Sequence, residues 1–134
     1  MALDTIIELN NVRVAQRHNI ILSDVTLSIS KGEFVYLIGR TGTGKSSLLR
    51  TLYADLKLEE GEGAVVGFPL KKLKRRKVPR LRRKLGIVFQ DFQLLTDRSV
   101  HDNLDFVLRA TGWKAKKERE DRIVEVLDKV GLGT

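Results

Sequence analysis

Eight residues, Gly39-Arg40-Thr41-Gly42-Thr43-Gly44-Lys45-Ser46, constrain this chain more than any other stretch. They satisfy the spacing G-x-x-x-x-G-K-[ST], and their flanks suit it. Phe34-Val35-Tyr36-Leu37-Ile38 precedes them as an unbroken apolar run between Gly32 and Gly39, which predicts a strand buried on both faces. Lys45 to Tyr53 follows with Leu48, Leu49 and Leu52 on one helical face, predicting a helix that opens on the loop. A triphosphate needs many N–H donors close by, and a backbone wraps around it only where few side chains intervene. Glycines at 39, 42 and 44 allow that tight path and the positive φ values of an anion-binding nest. The start of the helix adds unpaired N–H groups and the positive end of its dipole. In such a loop Lys45 reaches the β and γ phosphates, and the Ser46 hydroxyl ligates Mg2+. Residues 39–47, with Ser47 included, form the candidate phosphate site.

A chain of 134 residues amounts to one domain at most, long enough to bury a core. With 42% hydrophobic residues it is expected to be globular rather than disordered. It has no cysteine, which excludes disulfides and thiolate metal sites and fits a reducing cytosol. Its first residues lack the basic and apolar regions of a secretory signal, and no apolar run approaches the roughly 20 residues of a membrane span. The expectation is a protein soluble by itself. The net charge of +8 is local: residues 71–84 hold 10 of the 25 basic residues and no acid, leaving 15 basic against 17 acidic elsewhere. That run carries no interleaved aromatic for base stacking, which argues against a specific nucleic-acid partner. It reads either as a solvated helix face or as a contact for anionic lipid.

In chain order, Ile6 to Val14 and Ile20 to Ile29 alternate with the period of strands, joined by a polar turn at Gln16 to Asn19. Lys31-Gly32-Glu33 turns into the strand before the loop. Leu56 to Gly63 is turn-rich, and Ala64 to Phe68 predicts a short strand. A helix beginning after Pro79 closes over Arg80 to Lys84, since proline suits a first turn. Leu85 to Gln90 reads as a buried strand ending on a polar residue. Ser99-Val100-His101-Asp102 is a capping-box-like start to a helix with Val100, Leu104, Val107 and Leu108 on one face. Ala115 to Val130 predicts a second helix, its stripe formed by Ile123, Val126, Leu127 and Val130 and its stop by Gly131. His101 is expected in a solvated first turn and Trp113 in packing near a loop; neither spacing suggests a ligand.

The stretch ILSDVTLSISKGEFVYLIGRTGTGKSSLLRTL resembles the opening of an ABC-type ATPase domain. The resemblance implies an α/β fold: a P-loop NTPase core with an antiparallel β subdomain, followed by a helical subdomain. It places the first part of the core at 1–94, with phosphate loop and Q-loop, and the beginning of the helical subdomain at 95–134. LGIVFQ resembles the Q-loop strand, which implies that Gln90 contacts Mg2+ and the attacking water and couples nucleotide to a membrane partner. ATP and Mg2+ are the implied cofactors. FQDFQLLTDRSVHDNLDFVLRATG and LDKVGL are most similar to the FtsE branch. That branch works in bacterial cell division as an ATPase dimer, held at the inner face of the membrane by the integral membrane protein FtsX. Lipoprotein-release and macrolide-export ATPases share much of this pattern.

The sequence departs from the family in two ways. Where family members stack adenine on an aromatic residue, Ala15 or Gln16 stands here. The signature loop, the Walker B aspartate, the catalytic glutamate and the switch histidine of the family would all lie beyond Thr134, so no catalytic residue is assigned. Asp91 follows Gln90, and Asp121, Glu125 and Asp128 fall on an amphipathic helix. Residues 1–134 alone are therefore expected to bind nucleotide weakly without turnover, with Val35, Leu37, Ile87 and Phe89 partly uncovered.

Overall fold

The computed structural model describes residues 4–133. The chain divides into two compact units, Met1–Gly86 and Ile87–Thr134. The boundary expected between 94 and 95 falls inside the second unit.

The first unit is built on an antiparallel hairpin of β1 (Thr5–Gln16) and β2 (Asn19–Ser30), turned at Arg17 and His18. β3 (Glu60–Val65) pairs with the other edge of β1, and β4 (Phe68–Pro69) pairs with β3, giving the order β2-β1-β3-β4. Leu9, Val12 and Val14 are all fully buried, although simple alternation would put Leu9 and Val12 on opposite faces. A bulge at Asn11 reconciles them. Asn11 takes a φ of 50°, and the register shifts beside it on both neighbouring strands. Its amide donates to Asp24 Oδ1 at 2.7 Å, and its N–H to Thr26 Oγ1 at 3.1 Å. The bulge presses the carbonyls of Asn10 and Asn11 toward β3, where a Cβ on Gly61 would collide with both.

The predicted strand over 64–68 is corrected. β3 already begins at Glu60, and Val66 and Gly67, with φ of 48° and 80°, form the two-residue turn into β4. Val66 stays in this strained conformation while its side chain packs on the core. Helix α1 (Lys45–Leu52) buries Leu48 and Thr51, and the Thr51 hydroxyl donates to the Ser47 carbonyl at 2.8 Å. Leu49, expected on the inner face, is 53% exposed; the buried face follows Leu48, Thr51 and Leu52. After a 3-10 turn at Arg75–Lys77, helix α2 (Val78–Arg82) starts one residue before Pro79 and ends short of Lys84. Its buried residue, Leu81, joins Leu9, Val12, Val14, Leu22, Leu48, Leu56, Val65 and Leu70 in one core.

The two buried strands expected at 34–38 and 85–90 do not form. Both segments lack a ladder partner among the described residues, so their apolar side chains stay open: Phe34 is 83%, Ile38 89% and Val88 90% exposed. Val35, Leu37 and Ile87 are exposed and Phe89 is half-buried, as expected of uncovered positions. The rings of Phe34 and Tyr36 meet edge to face with centroids 5.0 Å apart, a contact that an extended backbone allows between alternate residues.

The second unit pairs α3 (Val100–Ala110) with α4 (Lys116–Lys129). Ser99 caps α3 as expected, its hydroxyl accepting from Asp102 N–H at 3.1 Å. Both helices end in a glycine at positive φ, Gly112 and Gly131. After each, the next N–H reaches back across the last turn, from Trp113 to the Leu108 carbonyl at 3.0 Å and from Leu132 to Leu127 at 2.8 Å. Asp105 and Arg119 join the helices at 2.6 Å, and Arg119 also donates to the Lys114 carbonyl at 2.8 Å. Val100 and Val107, expected inward, are more than half exposed; Leu104 and Leu108 are half-buried, and Ile123 is buried. His101 sits in the first turn, yet its Nε2 lies 2.9 Å from Glu120 on α4, so it ties the pair rather than facing only water.

Candidate functional site

The phosphate loop connects the extended segment to α1 and sits on β2. Gly42 and Gly44 have φ of 88° and 94°, so two of the three glycines serve the expected backbone freedom. Gly39 does not lie in the left-handed region; its small size matters instead, because a Cβ there would stand 2.7 Å from Thr43 Oγ1. Gly44 is also tightly seated, since a Cβ would meet Leu22 Cδ2 at 2.8 Å and the Ile21 carbonyl at 3.3 Å. Thr43 closes the turn within the loop: its N–H donates to the Arg40 carbonyl at 3.2 Å and its hydroxyl to the same oxygen at 2.7 Å. Lys45 folds back over the loop and donates from Nζ to the Gly39 carbonyl.

Gly44 supplies no side-chain cap to α1, and the first turn holds no acid. The N–H groups of Lys45, Ser46 and Ser47 are thus the unpaired donors of an uncapped helix start, backed by the positive end of the helix dipole. Around Gly42 a Cβ would find open space within 4 Å, so this side of the loop is not filled by neighbouring atoms. Ser46 is exposed beside these donors. The set comprises backbone N–H groups, one lysine, hydroxyls at Thr41, Thr43, Ser46 and Ser47, and the Arg40 side chain. It fits a polyphosphate with a hard cation.

Residues 39–47 are brought together by their own chain path. Gln90 belongs to the second unit, where it is exposed and opens a turn through Gln93. Phe92 N–H donates to the Phe89 carbonyl at 3.2 Å, and Phe92 and Gln93 both have positive φ. Ala15 and Gln16 pair with Ile20 and Asn19 at the end of the first hairpin, and Gln16 is exposed. Asp102-Asn103 belongs to the stretch that resembles the FtsE branch, but that resemblance assigned the Asn103 side chain no structural role. Its side chain accepts from Leu95 N–H at 2.8 Å and donates to the Leu95 and Ser99 carbonyls at 3.0 and 2.9 Å, fixing the segment that follows the Gln90 turn. No group of three or more histidines, aspartates or glutamates among the described residues is arranged to hold a metal. No helix among them is long and apolar enough to cross a membrane.

A glycine-rich loop of this spacing that opens directly on a helix is the hallmark of the P-loop class of α/β proteins. The chain belongs to the ABC transporter family, whose model matches residues 22–134. Among solved structures, it is similar to the dimeric ATP-binding cassette MJ0796 in a post-hydrolysis state bound to ADP and Pi. The TM-score is 0.77 at 30% identity, covering 92% of this chain and 56% of that one. The cbiO1 subunit of the cbiONQ transporter complex from Clostridium perfringens gives a TM-score of 0.81 at 27% identity, covering 96% and 51%.

More particularly, the chain is similar to cell division ATP-binding proteins named FtsE. It is 41% identical over 111 residues to that of Streptococcus pneumoniae serotype 2 and 45% identical over 112 residues to that of Mycobacterium tuberculosis. Each match covers 83% of this chain and 48% of the relative. The methionine import ATP-binding protein MetN of Nocardia farcinica is 35% identical over 120 residues, covering 90% of this chain and 36% of the relative. The chain spans about half the length of the FtsE relatives it matches.

Proposed function

We propose that this chain is the ATP-binding part of an FtsE-like subunit that acts in bacterial cell division. It would lie on the inner face of the membrane and couple ATP to an FtsX-like integral membrane protein. The observation that carries the nucleotide reading is the uncapped start of α1, with three unpaired N–H groups, no acid in its first turn and Lys45 folded over the loop. The FtsE relatives at 41% and 45% identity support the cell-division reading.

With ATP bound, Lys45 would exchange its bond to the Gly39 carbonyl for the β and γ phosphates, and the Ser46 hydroxyl would hold Mg2+, with Gln90 the further ligand that the family resemblance implies. That cation neutralises phosphate charge and orients the phosphates when bound. Lys45, Ser46 and Ser47 present their unpaired N–H groups to the phosphates, the turns at Gly42 and Gly44 bring the backbone round to them, and Arg40, Thr41 and Thr43 border them. In the whole protein two such subunits close on nucleotide as a homodimer, a reading supported by the dimeric state named for MJ0796. A second reading, the ATP-binding subunit of an importer, is favoured by the MetN likeness at 35% identity. Co-purification of the full-length protein with an FtsX-like rather than an importer membrane subunit separates the two.

Lys45→Ala removes the lysine aimed at the β and γ phosphates while leaving the core intact. ATP and ADP affinity are expected to fall together by at least about tenfold, roughly the value of one charge-assisted hydrogen bond. Unchanged affinity by calorimetry, with an unchanged melting temperature, refutes the assignment. Residues 1–134 alone are expected to bind without steady-state turnover, and a Lys45-dependent ATPase rate from them would overturn that.

A further inference from the structure

The basic run is the largest feature that the nucleotide site does not use. All ten of its cations, from Lys71 to Lys84, are exposed, while Leu81 is fully buried and Leu73 and Val78 are half-buried. None of the ten enters an ion pair among the described residues. Helix α4 is organised differently: there Glu125 lies 2.9 Å from Arg122 and 3.0 Å from Lys129, so cations and acids alternate and satisfy one another. A segment that gathers cations without interspersed acid raises its own electrostatic repulsion. An external anion relieves that repulsion.

A cleft of about 710 Å3 opens beside this segment. Lys57, Lys72, Arg75 and Arg82 line it together with apolar side chains that include Leu58 and Leu73. The one acid at its wall, Asp55, is held by Arg50 at 2.7 Å and offers little to the cations facing it. Arg82 is set in place by a bond from Nε to the Tyr53 carbonyl at 3.0 Å and by its position 5.9 Å over the Tyr53 ring.

We infer that residues 71–84 and this cleft seat the protein on an anionic phospholipid surface, with a lipid phosphate entering the cleft. Exposed lysines and arginines meet the headgroup plane, and the apolar wall suits the glycerol ester next to a headgroup phosphate. Nucleic acid satisfies the charge but not the wall, and the run presents no aromatic side chain to a base. The inference does not use the nucleotide loop. It deepens the proposed membrane location, and vesicles free of protein separate lipid contact from docking on a membrane subunit.

The test is co-sedimentation of the full chain with vesicles of phosphatidylglycerol in phosphatidylcholine. The parent is expected to bind at low salt, to be released as salt rises and to ignore pure phosphatidylcholine. Arg75, Arg76, Arg80 and Arg83, all reversed to Glu, are expected to weaken binding at least about a hundredfold, each cation near the surface contributing about fivefold. A charge-matched reversal of Lys31, Lys114, Lys116 and Lys117 to Glu is expected to keep most of the binding. Indifference of the parent to anionic vesicles overturns the inference without requiring any variant to fold. So does an equal loss in both reversals, or retention on duplex DNA tighter than on the vesicles.

Discussion

Gly44 carries two constraints at once, a φ of 94° and a close approach to Leu22. Gly44→Ala is expected to cost about 1–2 kcal/mol from the left-handed backbone alone, with further loss as Leu22 is displaced. A lower melting temperature together with weaker ATP binding checks this; a variant as stable as the parent speaks against the geometry. Gln16 lies exposed at the end of the first hairpin, where the family resemblance expects an aromatic residue against adenine. Gln16→Tyr is expected to tighten ATP by up to about 1–3 kcal/mol and free triphosphate much less. Equal gains for both ligands show that the tyrosine acts elsewhere. At this scale much of the loop was legible, because its spacing, glycines and lysine act through a contiguous backbone. Gly39 was misread for a physical reason: its need is room for Thr43, a contact that spacing alone does not reveal.

Among the elements, α2 is short and its buried anchor is Leu81. Leu81→Ala is expected to destabilise the first unit by about 2–5 kcal/mol, read as a shift in denaturant midpoint. Helices α3 and α4 respond to pH from both sides. Hydrogen bonds to Glu120, and secondarily Asp102, raise the His101 pKa above its ordinary 6.5. The stability it contributes is full below that ordinary value and is lost as pH rises through the raised one. The Arg119 hydrogen bond holds Asp105 below its ordinary 3.8, so that contribution is present above 3.8 and is lost as pH falls through the lowered value. Hydrogen bonds from Arg122 and then Lys129 likewise hold Glu125 on α4 below its ordinary 4.5, so the helix pair should be most stable between 4.5 and 6.5. Melting followed from acid to alkaline pH checks this, and His101→Gln should flatten the alkaline side. The Ser99 cap and the Gly131 stop were readable because each is local. The bulge at Asn11 and the true start of β3 were not, since both depend on how strands distant in sequence come into register.

At the level of the whole molecule, charge is segregated: a net of +10 in residues 71–84 and −2 elsewhere make up the total of +8. The apolar segments at 34–38 and 85–90 were read as buried strands from composition, but a strand is completed by its neighbours, and no described strand forms a ladder with either. That has a consequence in time. An amide without a bonded partner exchanges its hydrogen with solvent far faster than one locked in a ladder. In deuterated buffer the amides of Val35 to Ile38 should exchange almost as fast as those of a free peptide. The paired amides of Leu9 and Val14 should hold theirs until the first unit opens. The segment leading into the phosphate loop would thus lose its label first, although it lies between a protected strand and a protected helix. Protection at 34–38 matching that of β1 would mean that a partner strand covers the segment in solution.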